Sequence, residues 1–483
     1  MTGFDTFENR WEITSTLTLE SALHIGGGLN AAAYSLSDGA VLQQEEKDGV
    51  VQPYIPGSSL KGILRGTLER LVQTFHPGSC NLSFGRRAGK PCGLEDCITC
   101  HIFGSLKGGS RITVRDARLT PESAKAHRAL PLVADQPHCA TQYSKNLVAN
   151  ENKDGTIATR LWLHERVAAG TQFTLSIALD NADETDVGFV LLALDEFNQK
   201  RATIGGGTSR GLGFISIDFP PKITRTCIKK AGSFEVLTEE KTAAQLILAA
   251  KKALAGKPVN NTVGDFSAYA HAFDPVPDTG EIPAGCVVTE LKIHTVTPFR
   301  MPGSEEMTVT CNGEPYIPGS TIKGFLRHRF IGIKNHHPEQ GITPEWIYRI
   351  FGAANDYGDN DNRRKAHRSR LLVSDAFPEK VTGNSDEIPQ GTDLKLWVLF
   401  DNLECEDIAR VLGELLVDRG IRITGSTIAK GASTADEVKT IKVPRFNMVK
   451  ISAVTLNPFR ADSYLKNSSA AISLIDTVES RVG

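Results

Sequence analysis

From Trp11 to Leu19 apolar and polar side chains alternate, with Trp11, Ile13, Leu17 and Leu19 on one face, the period of a half-buried strand. Similar or apolar runs predict strands near Arg111 to Leu119, Gln172 to Leu179 and Gly213 to Phe219. Between the first two, Leu60, Ile63, Leu64, Leu68, Leu71 and Val72 recur at helical spacing after Ser58 or Ser59, either of which can cap a helix. A second helix is predicted over Val187 to Arg201, with Val190, Leu191, Leu194 and Phe197 inward. The resulting order, βαββαβ, is a split βαβ arrangement. It recurs downstream as strands near Val287 to His294, Arg370 to Ser374 and Leu394 to Phe400, with helices near Thr321 to Ile331 and Glu406 to Arg419. Pro220 to Pro283 reads as a connector carrying an amphipathic helix around Glu239 to Leu254.

The recurrence is an internal duplication. Tyr54 to Arg65 reads YIPGSSLKGILR, and Tyr316 to Arg327 reads YIPGSTIKGFLR. The echoes continue in order: Ile102-Phe103-Gly104 with Ile350-Phe351-Gly352, Ser110 to Ala117 with Ser369 to Ala376, and Gly170 to Asn181 with Gly391 to Asn402. Two copies are too few for a solenoid, so two paralogous units are expected at 1–220 and 285–483, joined through 221–284.

Composition narrows the class less than the repeat does. The 54 Lys+Arg and 56 Asp+Glu give a net charge of −2, which by itself does not indicate a nucleic-acid partner. Basic residues are nevertheless clustered, at Arg86 to Arg118 and again at Arg363 to Arg370. No leader and no apolar run near the roughly 20 residues needed to cross a bilayer is seen, so no membrane partner and a cytoplasmic location are expected. Nine cysteines, four of them between Cys80 and Cys100, do not suggest a secreted disulfide framework.

Three groups of residues carry candidate chemistry. Lys61 and Arg65 lie four apart on one helix, repeated as Lys323 and Arg327, an arrangement suited to phosphates beside a helix N-terminus. The run Gly205, Gly206, Gly207, Thr208, Ser209, Arg210, Gly211, Leu212, Gly213 allows close backbone approach to a ligand, and Arg210 can bind phosphate. It follows a helix and precedes a strand, so it is not a dinucleotide fingerprint. Cys80, Cys92, Cys97 and Cys100 have the spacing C-x11-C-x4-C-x-x-C, which suits one closed, structural zinc site; His76 or His101 could replace one thiolate.

The IPGSSLKGxLR helix start, followed later by GGGTSRGLG, resembles the RAMP superfamily, and within it the Cas-seven-type backbone subunits of type III CRISPR effector complexes. The doubled form resembles fused type III-D and III-E subunits. The resemblance implies an α+β fold of two tandem ferredoxin-like, RRM-like domains with loop insertions and one zinc loop. It also implies a CRISPR guide RNA, a complementary target RNA and other effector subunits as partners, with the glycine-rich loop against the guide. In such subunits an aspartate before the IPGSS helix cleaves the target. Here Asp38-Gly39-Ala40-Val41 fits that pattern, Glu306 stands at the matching place in the second unit, and Mg or another divalent ion is implied for cleavage. Gln142 to Arg166 matches a thumb that wedges the guide:target duplex. Two other readings compete: a scaffold without catalysis, and a guide-precursor ribonuclease using His24 as a general acid or base.

Overall fold

The computed structural model describes residues 7–27, 38–76, 97–105, 108–141, 147–153, 155, 158–231, 233–255, 263–265, 281–283, 285–299, 310–311, 313–352, 368–380, 387–416, 420–424, 446–466 and 472–475. In the first unit the alternating segment becomes β1 (Asn9–Leu19), and the IPGSS segment becomes α1 (Gly57–Phe75). After these come β2 (Ile112–Val114), β3 (Gln172–Asp180), α2 (Glu184–Asn198) and β4 (Ile215–Ile217). β1 pairs antiparallel with β3 along Arg10 to Thr18 and with β4 along Leu17 to Leu19, while β3 pairs with β2. The order β4-β1-β3-β2 is that of a ferredoxin-like sheet. Its inner face is closed by α1 and α2: Trp11, Ile13 and Leu17 meet Leu60, Leu64, Leu68, Val190, Leu194 and Phe197 in one buried core. Burying each such side chain contributes about 1.5–3 kcal/mol. Trp11 also gives its indole N–H to the Ala182 carbonyl at 2.9 Å, so its one polar atom is satisfied inside that core. Asp183 and Asp186 form a reciprocal capping box at the start of α2.

The second unit repeats the plan with β5 (Gly285–Thr295), α3 (Gly319–His336), β6 (Leu371–Val373), β7 (Asp393–Leu403), α4 (Cys405–Leu416) and β8 (Phe446–Pro458). Its order is β8-β5-β7-β6. The closing strand, the least patterned element in the sequence, is β8, with Gly420–Thr424 paired on its outer edge.

The stretch read as a connector divides between the units. Lys222–Ala231 continues along β1, and Ser233–Glu240 forms the outer edge of the first sheet. The helix Ala243–Leu254 packs its Leu246 and Ala250 so closely on α2 that a Cβ at Gly188 would lie 2.1 Å from the Leu246 carbonyl. Composition suggested a linker because Pro and Gly are frequent there, but an alternating edge strand can be polar on its open side and still pair. Pro- and Gly-rich 266–280 lies outside the described residues.

The units are in direct contact. Phe214 of the first is buried with Val288, Leu372 and Leu399 of the second. Arg70 pairs with Asp401 at 2.8 Å, and Lys200 lies 5.0 Å from the centre of the Trp397 ring. Ala461–Lys466 returns to the first unit, where Phe459 and Tyr464 pack under Arg201 and Lys251 donates to the Tyr464 carbonyl at 2.8 Å.

Candidate RNA interface

Val133–Thr141 precedes Gln142 to Arg166, the stretch expected to hold the thumb, and only Thr159–Val167 falls on it; the two strands pair antiparallel as a hairpin. Its base is fastened to the body through reciprocal backbone bonds between Leu23 and Val167. Leu147, beyond the hairpin's first strand, is buried in the second unit's core. The segment Asp38 to Val41 lies along the second strand. The Leu163 N–H donates to Asp38 Oδ2 at 2.8 Å, the Glu165 N–H donates to the Gly39 carbonyl at 2.9 Å, and the Val41 N–H donates to Glu165 Oε2 at 2.7 Å. A Cβ on Gly39 would lie 2.4 Å from His164 Nδ1, so any larger residue there forces the His164 ring to move.

From the other side comes the glycine-rich loop. The Gly206 N–H donates to the His24 carbonyl at 2.7 Å, and a Cβ on Gly205, at φ +77°, would lie 2.5 Å from that oxygen. Loop, hairpin and the turn after β1 thereby enclose a cleft of about 290 Å³ lined by His24, His164, Arg166, Gly207, Ser209, Arg210 and Leu212. His24 Nδ1 donates to the Glu165 carbonyl at 2.9 Å, so the neutral ring keeps Nε2 as its acceptor. The two imidazoles meet edge to face, 5.5 Å between centres. Burial first, then Arg210, His24 and Arg166, hold His164 below the usual histidine range, while Asp38 opposes them. Burial and the adjacent Arg166 likewise lower the pKa of Arg210. Arg166 is only 7% exposed, and its Nε has no hydrogen-bond partner among the described residues. Two guanidiniums at a polar cleft are an arrangement suited to an anion, and Arg166 also interacts electrostatically with the buried Asp375 carboxyl.

Asp38, His24 and Gly205 to Arg210 are therefore brought together, whereas the helix cations are not part of this cleft. Lys61 Nζ donates to Ser110 Oγ (2.6 Å) and the Ile112 carbonyl (3.0 Å), and Arg65 binds Glu69 (2.8 Å) and the Gly104 carbonyl (3.0 Å). Lys323 is 9% exposed and donates to Ser369 Oγ (2.6 Å) and to the Ser209 carbonyl of the first unit (2.8 Å). Burial, then Arg327 and Arg210, push its pKa down to about 7. One donor at each helix start is taken as well: Asp116 accepts from the Gly57 N–H and Asp375 from the Gly319 N–H. The sequence shows a cation pair on a helix face, but neither burial nor the internal acceptors near it; the structure turns Lys61, Arg65 and Lys323 inward.

His164 and Arg166 were not singled out from the sequence. The usable signal is their spacing, since residues two apart in a strand share a face. In the second unit, Phe299 bridges Ile388 as Leu23 bridges Val167, which puts Glu387 at the register position of Arg166. Cys97 caps the helix Ile98–Phe103 and Cys100 is buried within it, 3.9 Å from an Arg65 nitrogen. Cys80, Cys92, Glu306 and the second-unit loop 425–431 lie outside the described residues, and among the described ones no three His, Cys, Asp or Glu side chains group as a metal site. No described helix is long and apolar enough to cross a membrane.

Compared with known proteins, the chain matches the RAMP superfamily model over residues 16–216 and 292–457. It is 27% identical over 216 residues to the CRISPR system Cms endoribonuclease Csm3 of Methanocaldococcus jannaschii, covering 44% of this chain and 79% of that protein. To the protein of the same name from Methanothermobacter thermautotrophicus it is 27% identical over 229 residues, covering 43% and 84%.

Proposed function

Because the chain belongs to the RAMP superfamily, we propose that it is a guide-RNA-binding backbone subunit of a type III CRISPR effector complex that also cleaves complementary RNA at its first unit. The observation that carries this reading is the convergence of Asp38 with the cleft of Arg166, Arg210, His24 and His164. The cleft holds backbone phosphates, which is how a guide of any sequence can be gripped. Glu387 in place of Arg166 makes the second unit a poorer phosphate holder, so the first unit supplies the main grip.

RNA carries its own nucleophile. The protein has to hold a 2′-hydroxyl in line with the adjacent phosphorus, assist loss of its proton and neutralise the departing oxygen. The O2′–P bond forms as the P–O5′ bond breaks, leaving a 2′,3′-cyclic phosphate and a 5′-hydroxyl that takes up a proton. Asp38 assists the first proton transfer, with Oδ2 fixed by the Leu163 N–H and Oδ1 left for the substrate. A divalent ion, when bound, supplies Lewis-acid stabilisation of the leaving oxygen. Asp38 with RNA phosphate oxygens is a donor set that Mg²⁺ accepts, since Mg²⁺ is commonly held by one or two carboxylates plus substrate phosphates.

The test is Asp38→Ala in the reconstituted complex, with a labelled complementary RNA. One cut should slow by roughly 10²–10⁴-fold, with guide and target binding unchanged, and Glu306→Ala should leave the pattern as it is. Retention of every cut in Asp38→Ala would sink the catalytic assignment and leave a scaffold. His24, with Nε2 available to the cleft, favours one second reading, guide-precursor processing; that activity would survive EDTA and be lost in His24→Ala.

The separate cysteine cluster is proposed to hold one structural zinc through Cys80, Cys92, Cys97 and Cys100. The donor types fit, and the Arg65 guanidinium near Cys100 favours the thiolate that zinc needs.

A further inference from the structure

The outer edge of the hairpin's second strand changes partner at Glu165. Before that residue the strand runs parallel to the Asp38 segment: the Gly39 N–H donates to the Leu163 carbonyl at 3.3 Å, and the Glu165 N–H donates to the Gly39 carbonyl at 2.9 Å. After it, Val167 exchanges backbone bonds with Leu23 of the body. A parallel ladder continued by one step would send the Val41 N–H to the Glu165 carbonyl. It goes elsewhere: the Val41 N–H donates to Glu165 Oε2 at 2.7 Å, and the Glu165 carbonyl accepts from His24 Nδ1 at 2.9 Å.

The side chain of Glu165 thus takes the place of its own carbonyl in the ladder, with two effects. Val41 is buried, so its N–H needs an acceptor, and Oε2 supplies one. The Asp38 segment is thereby held along both edges, because on the body side the Gly27 N–H donates to the Ala40 carbonyl at 3.0 Å and the Leu42 N–H to the Ile25 carbonyl at 2.8 Å. The second effect falls on His24: the carbonyl left to it fixes the ring with its proton on Nδ1 and its acceptor on Nε2. Glu165 does this from outside the cleft. His164 and Arg166 line the cleft, and the residue between them in a strand projects to the opposite face.

We propose that Glu165 is the positioning residue of the cleft: its carboxylate holds the Asp38 segment through Val41 and, by relieving its own carbonyl of that donor, sets the orientation and tautomer of His24. The role needs an acceptor at a given reach and not a charge. A glutamine keeps both, since its side-chain carbonyl oxygen can accept from the Val41 N–H as Oε2 does. An aspartate keeps the charge but is one methylene short. Without the side-chain acceptor, the Val41 N–H turns to the residue-165 carbonyl, completes the ladder and displaces the His24 ring. Because the acceptor sits on the hairpin, a shift of the second strand moves Asp38 and His24 together.

This role rests on the reading of Asp38 as the group that assists cleavage, and two measurements separate the fate of one from that of the other. In the reconstituted complex, single-turnover cleavage of a labelled complementary RNA is followed for Glu165→Ala, Glu165→Asp and Glu165→Gln beside Asp38→Ala. Glu165→Ala and Glu165→Asp should slow the first-unit cut by roughly 10–10²-fold with target binding unchanged. Glu165→Gln should cut as wild type does. The full chain labelled with nitrogen-15 histidine gives the second measurement, with His24→Gln identifying the His24 signals. The neutral His24 ring should carry its proton on Nδ1 in wild type and Glu165→Gln, and on Nε2 in Glu165→Ala and Glu165→Asp. Should the alanine variant not fold, the aspartate and glutamine variants carry both measurements. Wild-type cutting by Glu165→Asp while Asp38→Ala is inactive, a Glu165→Gln variant as slow as Glu165→Asp, or an unchanged His24 tautomer in Glu165→Asp overturns the proposal. If Asp38→Ala cuts at every site, the catalytic reading of Asp38 falls, and the His24 tautomer still decides the role of Glu165.

Discussion

Arg166, buried, and Arg210, half-buried, illustrate how a desolvated cation differs from a surface one. Each has surrendered hydration to stand in the cleft, so a phosphate there meets weakly screened charge. Arg166→Ala and Arg210→Ala should each weaken binding of every guide sequence to a similar degree and reduce the salt slope by about 1. A filter-binding series from 50 to 300 mM salt checks this, and a loss confined to certain guide sequences would place these side chains on bases instead. Lys61 and Arg65 predict a different outcome despite equal charge, because their donors are already engaged with Ser110, Ile112, Glu69 and Gly104. Reversing them should lower stability before it alters the salt slope.

Elements place these residues by close backbone approach. The hairpin, the Asp38 segment and the glycine-rich loop are independent in sequence, and each meets the next where a Cβ would collide, at Gly39 and Gly205. The helix Ile98–Phe103 is a contrasting case: six residues are too few to be stable alone and need an external anchor. Zinc supplies one in the reading proposed above. Purified protein should contain one zinc per chain, and Cys97→Ser with Cys100→Ser should remove it and destabilise this region. Elemental analysis decides, and full zinc retention in the double variant would exclude the site.

The whole molecule is held by a seam that buries ionisable groups. The Lys323 pKa lies near 7, below the usual lysine value of about 10.4 that applies when the chain unfolds. Between those values the unfolded state binds the extra proton, so this group's contribution to stability rises with pH from about 7 towards 10, and its full penalty is present below 7. Wild type should therefore gain thermal stability relative to Lys323→Met as pH is raised from 7 to 9.5. Parallel melting curves would refute the assignment. Asp375, pushed up to about 6 by burial, acts in a separate window: its contribution falls as pH rises from about 4 to 6.

The duplication and the ferredoxin-like order could be read from the chain, because period-two and period-3.6 patterns are local consequences of backbone geometry, whereas Asp38 is reached only through the family resemblance. Only the tertiary structure decided which charges face the cleft. Lys61 and Lys323 look like phosphate ligands until Ser110, Ser369 and Ser209 are brought to them, while His164 and Arg166 become a site only when the hairpin folds beside the glycine-rich loop. Burial and hydrogen-bond partnership join residues more than a hundred positions apart, and no pattern in a window of ten residues carries that information.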